Sequence, residues 1–289
     1  MVVSRISWMI ALLASAPLAG QPVRAPTPVV PADRAQPAPA QRPGTHEPPG
    51  MRTILESRGN DKFYGHSAED PGPWFFGGRW RASDAVTVVR DPAAPFGSAI
   101  EKRFFAGDQS GWNGVAIMRW PAAAEVYFRM TFKFSPNWHG HPGGQKIWYW
   151  GSQGSSNYYI MMQSGKLRFH AQFSRNQGPG PDVAVYVGSS PARITFDQYH
   201  TIEVHHKTQS EPGANDGAVH VWYDGQYVTW SRLPRGNLAN GRLEGMNFQA
   251  AGHTKIGGMQ QPLYWGGGGV TKRANDWFRQ AELVVKVKP

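Results

Sequence analysis

The chain has 289 residues, and Lys plus Arg outnumber Asp plus Glu by 30 to 20. There is no cysteine, so disulfides and thiolate metal sites are excluded and the core alone must hold the fold. Only 17% of residues are charged while 12% are aromatic, with 12 Trp and 34 Gly. This excludes a helical bundle rich in Ala, Glu, Leu and Lys, and equally a disordered chain.

Residues 1–20 open with a basic Arg5, continue with apolar Ile6–Leu13 and end in small residues, Ala14–Gly20. That pattern is read as a secretory signal peptide. The apolar run is far shorter than the roughly 20 residues of a membrane span, and nothing later is long enough. The expected location is therefore secreted, extracellular or periplasmic. Residues 21–50 hold nine prolines. Proline fixes φ and lacks a donor, so this stretch reads as an extended linker. Residues 51–289 are the expected folded domain, with 26 basic and 18 acidic residues.

Within that domain the apolar period is two. Phe128, Met130, Phe132 and Phe134 alternate with Arg129, Thr131 and Lys133. Leu167, Phe169, Ala171 and Phe173 alternate with Arg168, His170 and Gln172. Thr201–His206 and Ala281–Val287 read as further strands. Asp224-Gly225 is a tight-turn signal between Val219–Tyr223 and Gln226–Trp230. No segment has sustained helical periodicity. The expected fold class is all-β, a two-sheet antiparallel sandwich.

Two segments break the alternation. Lys146-Ile147-Trp148-Tyr149-Trp150 and Tyr158-Tyr159-Ile160-Met161-Met162 are apolar or aromatic on both faces. One reading is a strand covered on both sides. The other is a strand in a groove, whose outward rings stack on sugar faces.

Several pieces in order resemble the concanavalin A-like lectin/glucanase superfamily. They are Tyr127–Phe134 followed by Ser135-Pro136-Asn137-Trp138, the hairpin Asn215–Gly225, and Tyr264-Trp265 running into Gly266–Gly269 with a last strand from Asp276. The resemblance covers residues 70–289. It implies a jelly roll with one concave sheet that holds polysaccharide, and it extends to secreted polysaccharide-lyase-like members. Similar lyases cleave uronic-acid polymers by β-elimination. A cation or amide neutralises the carboxyl, a base takes the proton α to it, and a Tyr or His protonates the leaving oxygen.

On that template His170 is the expected base or acid, with Gln172 and Arg168 neutralising the carboxylate. The order His-x-Gln is the reverse of the Gln-x-His found in many alginate lyases. Lys146, Trp148, Trp150 and Tyr158 are the expected substrate-binding residues, the first three taken to share one face; Tyr159 beside Tyr158 is a second possible proton donor. Glycoside hydrolysis needs two carboxyls at a set separation, and the Glu-x-Asp-x-x-Glu strand of related glucanases is missing. Glu125, Glu203 and Glu282 are scattered singly.

His139-Gly140-His141 lacks an evident third ligand, so no metal site is expected. No cofactor is expected, although Asn215-Asp216-Gly217 and Asp276 have the oxygens for a structural calcium. The basic domain favours an acidic polysaccharide partner, with nucleic acid set aside because of the leader. A monomer is expected. The sequence thus leaves three readings: a carbohydrate-binding protein first, a polysaccharide lyase as its alternative, and a tethered structural protein.

Overall fold

Strand alternation divides the side chains between one buried layer and two outer faces. A computed structural model describes residues 45–59, 74–76, 86–108, 116–151, 156–173, 184–211, 214–230, 241–246, 255–261, 264–265 and 270–288. The expected leader, most of the proline-rich stretch and Gly266–Gly269 lie outside the described residues.

The first sheet runs in the order Gln226–Tyr227 (β13), Gly217–Tyr223 (β12), His200–Lys207 (β11), Glu125–Phe134 (β6), Asp276–Lys288 (β17), Ser98–Phe104 (β4) and Val86–Arg90 (β3). Arg52–Ser57 (β1) joins β17, and Leu243–Met246 (β14) joins β12. The second sheet runs Ala184–Arg193 (β10), Lys166–Phe173 (β9), Ser156–Gln163 (β8), Gln145–Gly151 (β7), Ile256–Gln261 (β15), Ala116–Ala123 (β5) and Trp74–Phe76 (β2). Tyr264–Trp265 (β16) pairs with β7. Every pairing is antiparallel, and no α-helix occurs among the described residues. The all-β sandwich expected from the alternation is the observed fold.

The hairpin signal was accurate. Asp224 and Gly225 both take positive φ, 50° and 77°, as a two-residue type I′ turn requires, and β12 and β13 pair across it. The second arm is shorter than the sequence suggested and ends at Tyr227.

β6 carries Phe128, Met130, Phe132 and Phe134 into the core, as the alternation predicts. Its outer residues Tyr127, Arg129, Thr131 and Lys133 are buried as well, which alternation alone does not predict. Neighbouring acids explain this, because a buried charge must be paired. Arg129 meets Glu282 of β17 at 3.1 Å, and Lys133 meets Asp91 at 2.9 Å. Tyr127 donates to Glu203 of β11. Burial alone would raise the Asp91 carboxyl, but hydrogen bonds from Lys133 and Tyr199 prevail and hold it at about 2.

Part of the expected linker belongs to this face. The ring of His46 stacks on Trp222 at 4.6 Å and meets Glu203 at 3.1 Å, while Glu47 pairs with Lys286 at 2.5 Å. Side-chain partners on β11, β12 and β17 fix these residues despite the prolines beside them.

Polar side chains also enter the core between the sheets. Trp150 donates through Nε1 to His206 Nδ1 at 3.0 Å, and His206 is wholly buried. Burial pushes this imidazole down to about 3, with His205 adding repulsion. Gln280 also faces the core, between Phe132 and Ile100 in register, and neither end of its amide has a protein partner.

Two predictions follow from the core. An unpaired buried amide costs about 1–3 kcal/mol. Gln280→Met should therefore raise the urea midpoint, and an unchanged or lowered midpoint would contradict this account. For His206 the unfolded chain gains a proton as pH falls through about 6.5, while the native state stays neutral until about 3. Stability should fall by up to about 1.4 kcal/mol per pH unit across that window. In His206→Met the slope of stability against pH between 6.5 and 4 should flatten, whatever its level at pH 7.

Candidate functional site

The decisive local feature is one extra residue in β7. Lys146 pairs with Met161 of β8, whereas Trp148 pairs with the very next residue, Ile160. Ile147 is therefore a β-bulge, and the alternation changes phase across it. Ile147, Trp148 and Trp150 all enter the core. Lys146 is shifted to the opposite face, the outer face of the second sheet, with Tyr149.

The bulge corrects the expectation that Lys146, Trp148 and Trp150 share a face. Trp148 is 1% exposed, and Trp150 and Tyr158 are 0% exposed. Trp148 and Trp150 pack on Phe128 of the facing sheet at 5.1 and 5.5 Å, and Tyr158 packs edge-on to His206 at 4.5 Å. These three rings fill the space between the sheets and are not substrate platforms. The covered-strand reading of their inward side is the right one.

Four side chains converge on the outer face. Tyr149, Tyr159 and His170 lie directly opposite one another on β7, β8 and β9. The two tyrosine rings stack at 5.4 Å and 12°, and His170 meets Tyr159 edge-on at 4.4 Å. Lys146 Nζ sits 4.7 Å from the Tyr159 ring centre and 5.3 Å from that of Tyr149. Such cation–π contacts hold the ammonium over the rings. Tyr159 and His170 are nearly enclosed, at 3% and 8% exposure, while Lys146 and Tyr149 are half-buried. Burial lowers Lys146. Burial first, and the Lys146 charge second, push His170 down to about 4. At neutral pH this imidazole is uncharged and able to accept a proton.

Arg168 lies on the same face, but one row away. It is opposite Met161, which is in turn opposite Lys146. Its Nε is buried and has no hydrogen-bond partner. Arg168 shares that row with Lys146, and it is the Lys146 charge that acts on the His170 ring. Gln172 pairs through its backbone with Asn157 and Ala184, and its side chain lies outside the described residues. Tyr149 was missed. The aromatic-on-both-faces signal was present, but without the bulge the wrong face was assigned outward.

The remaining candidates have structural partners. His141 Nδ1 accepts from Gly143 N, and its ring packs on Trp265. His205 reaches Glu125 at 2.7 Å on the outer face of the first sheet, opposite to His206 as alternation predicts. Asp276 accepts from Ser135 and from His139 N, and meets the Lys272 ammonium at 2.6 Å. Asp216 accepts from Ser210 N. Among the described residues no group of three or more His, Asp or Glu is placed to hold a metal.

Charge is segregated between the sheets. The strands of the first sheet carry Glu56, Glu101, Glu125, Glu203, Glu244, Asp276 and Glu282. The strands of the second carry no Asp or Glu, yet include Arg119, Lys146, Lys166, Arg168 and Arg193. The described strands of the sheet that holds the cluster therefore supply no paired carboxyls of the kind glycoside hydrolysis needs.

No family model and no curated protein sequence matches the chain. Solved structures do. An alginate lyase carrying Lys→Ala and Tyr→Ala substitutions, in complex with an alginate tetrasaccharide, is 14% identical with a TM-score of 0.56. That match covers 83% of this chain and 98% of that one. An endo-β-1,4-glucuronan lyase from the fungus Trichoderma reesei is 13% identical with a TM-score of 0.56, covering 82% and 96%. The alginate lyase without those substitutions aligns at 15% identity and a TM-score of 0.52, covering 78% and 92%. The fold is the concanavalin A-like sandwich of these proteins.

The cluster makes a direct prediction about titration. By NMR the His170 imidazole should titrate near pH 4. In Lys146→Met the midpoint should rise but stay below the ordinary value, because burial remains. An unmoved midpoint would mean that Lys146 does not act on this ring.

Proposed function

We propose that the protein is a secreted polysaccharide lyase that binds an acidic polysaccharide on the outer face of its second sheet and cleaves it by β-elimination. The convergence of Lys146, Tyr159 and His170 carries this reading. The chemistry needs a cation for the uronate carboxylate, a neutral base and a proton donor, and these are the groups assembled. The fold supports it, since a lysine and a tyrosine are the residues replaced in the neighbour that holds alginate. Secretion is supported by the leader-like residues 1–20.

The step is an elimination. Lys146 pairs with the carboxylate and stabilises the negative charge that develops there. His170 takes the proton α to the carboxyl. The electron pair left on that carbon forms the new C=C bond as the bond to the glycosidic oxygen breaks. The Tyr159 hydroxyl gives its proton to the departing oxygen. The products are a shortened chain end and an unsaturated uronate. The near-enclosure of Tyr159 and His170 strengthens these interactions by excluding water. Described strands that carry cations and no Asp or Glu favour a polyanion over a neutral glycan by Coulomb attraction.

The test is ultraviolet absorbance of the unsaturated uronate over a panel of alginate, glucuronan and heparin-type polymers. The wild type should produce it on at least one. His170→Ala, Lys146→Met and Tyr159→Phe should each lower kcat by roughly 10²–10⁴-fold while the protein remains folded. Binding without product across the panel would overturn the lyase reading in favour of a carbohydrate-binding module.

A further inference from the structure

One basic group on the second sheet is not used by the proposed elimination. Lys166 and Arg168 are two residues apart on β9, so both face outward, with Leu167 between them in the core. Arg193 of β10 lies directly opposite Lys166. Arg193 is exposed, and Lys166 and Arg168 are half-buried. None of the three makes an ion pair or hydrogen bond among the described residues, and the Arg168 Nε is buried without a partner.

This arrangement opposes folding on two counts. Like charges directly opposite across an antiparallel pair repel one another. A buried guanidinium N–H without an acceptor loses its water and gains nothing in return. Three buried cations elsewhere, Arg129, Lys133 and Lys272, each meet a carboxylate. The described strands of the second sheet carry no Asp or Glu, and Lys166, Arg168 and Arg193 have no carboxylate partner among the described residues, which leaves them open to an anion from outside the chain.

We infer that Lys166, Arg168 and Arg193 form an anion-binding stretch that grips a polyanionic sugar chain beyond the Lys146–Tyr159–His170 cluster and takes no part in bond breaking. This inference rests on the reading that an acidic polysaccharide lies on this face. From His170 to Lys166 is four residues along β9, or about 13 Å, long enough for more than one sugar ring. The cations step across the sheet from Lys146 on β7 to Arg168 on β9 and Arg193 on β10, so the chain crosses the strands. The planar guanidinium of the half-buried Arg168 suits a carboxylate in two-point contact. Arg168 is thereby a binding residue, and Lys146 is the cation of the reacting sugar.

The experiment compares the full chain with Lys166→Gln/Arg193→Gln and with Arg168→Gln. Calorimetric affinity is read for short and long alginate and glucuronan oligosaccharides at several salt concentrations, with sulfated dextran and neutral dextran alongside. The double variant should lose roughly tenfold in affinity for long chains only, with a flatter salt dependence. Its melting temperature should be equal to or higher than that of the wild type, because a repulsive pair has been removed. Unchanged affinity for long chains, or an equal loss for short and long, would overturn the inference. Absence of the ultraviolet product with these binding effects intact would remove the lyase reading and leave the inference standing. If uronates do not bind but sulfated dextran does, in a way that depends on Lys166 and Arg193, the anion stretch survives and the uronate assignment fails. Binding of neither polymer would end both.

Discussion

A strand side chain has two choices, the layer between the sheets or the face outside, and successive residues must alternate between them. The site depends on one breach of that constraint. The inserted Ile147 lets Trp148 and Trp150 fill the core while Lys146, only two residues before Trp148, points the other way. Without the bulge Lys146 would be driven among the buried aromatics, and the outer face would lose its central cation. The bulge allows a single strand to fill the core and to place Lys146 on the outer face.

The second organising factor is how each sheet treats charge. On the first sheet Arg129, Lys133 and Arg279 interlock with Glu282, Asp91 and Glu101, which allows a polar face to be buried. The same side of the second sheet has cations without strand acids. There the Lys146 ammonium lies over the rings of Tyr149 and Tyr159. Burial then lowers Lys146 and His170 together, and the charge of Lys146 adds to the effect on His170. One face is closed by its own counter-ions, and the described strands of the other carry cations without acids.

Much of this was legible in the residues themselves. The inward row of β6, the Asp224-Gly225 turn, the opposite faces of His205 and His206 and the outward placement of His170 all follow from period two and turn chemistry. The companions of His170 were harder to read. Arg168 shares its strand and so looked like its partner, but two positions along a strand is about 7 Å. Tyr159 and Tyr149, remote in sequence, lie directly across at hydrogen-bonding register. Trp148 and Trp150 looked like sugar platforms because their composition suits that role equally well. Composition does not distinguish a ring that stacks on a sugar from one that packs on Phe128.

The sequence by itself determined the class of fold and the absence of a Glu-x-Asp-x-x-Glu strand. These depend on local periodicity and on residue identity, which no folding step can alter. Tertiary structure alone decided which aromatic rings face outward, and that the Lys146 charge acts on His170. It also gathered the strand acids among the described residues onto one sheet. Those outcomes depend on register between strands distant in the chain, and a one-residue slip in register exchanges the faces of everything beyond it.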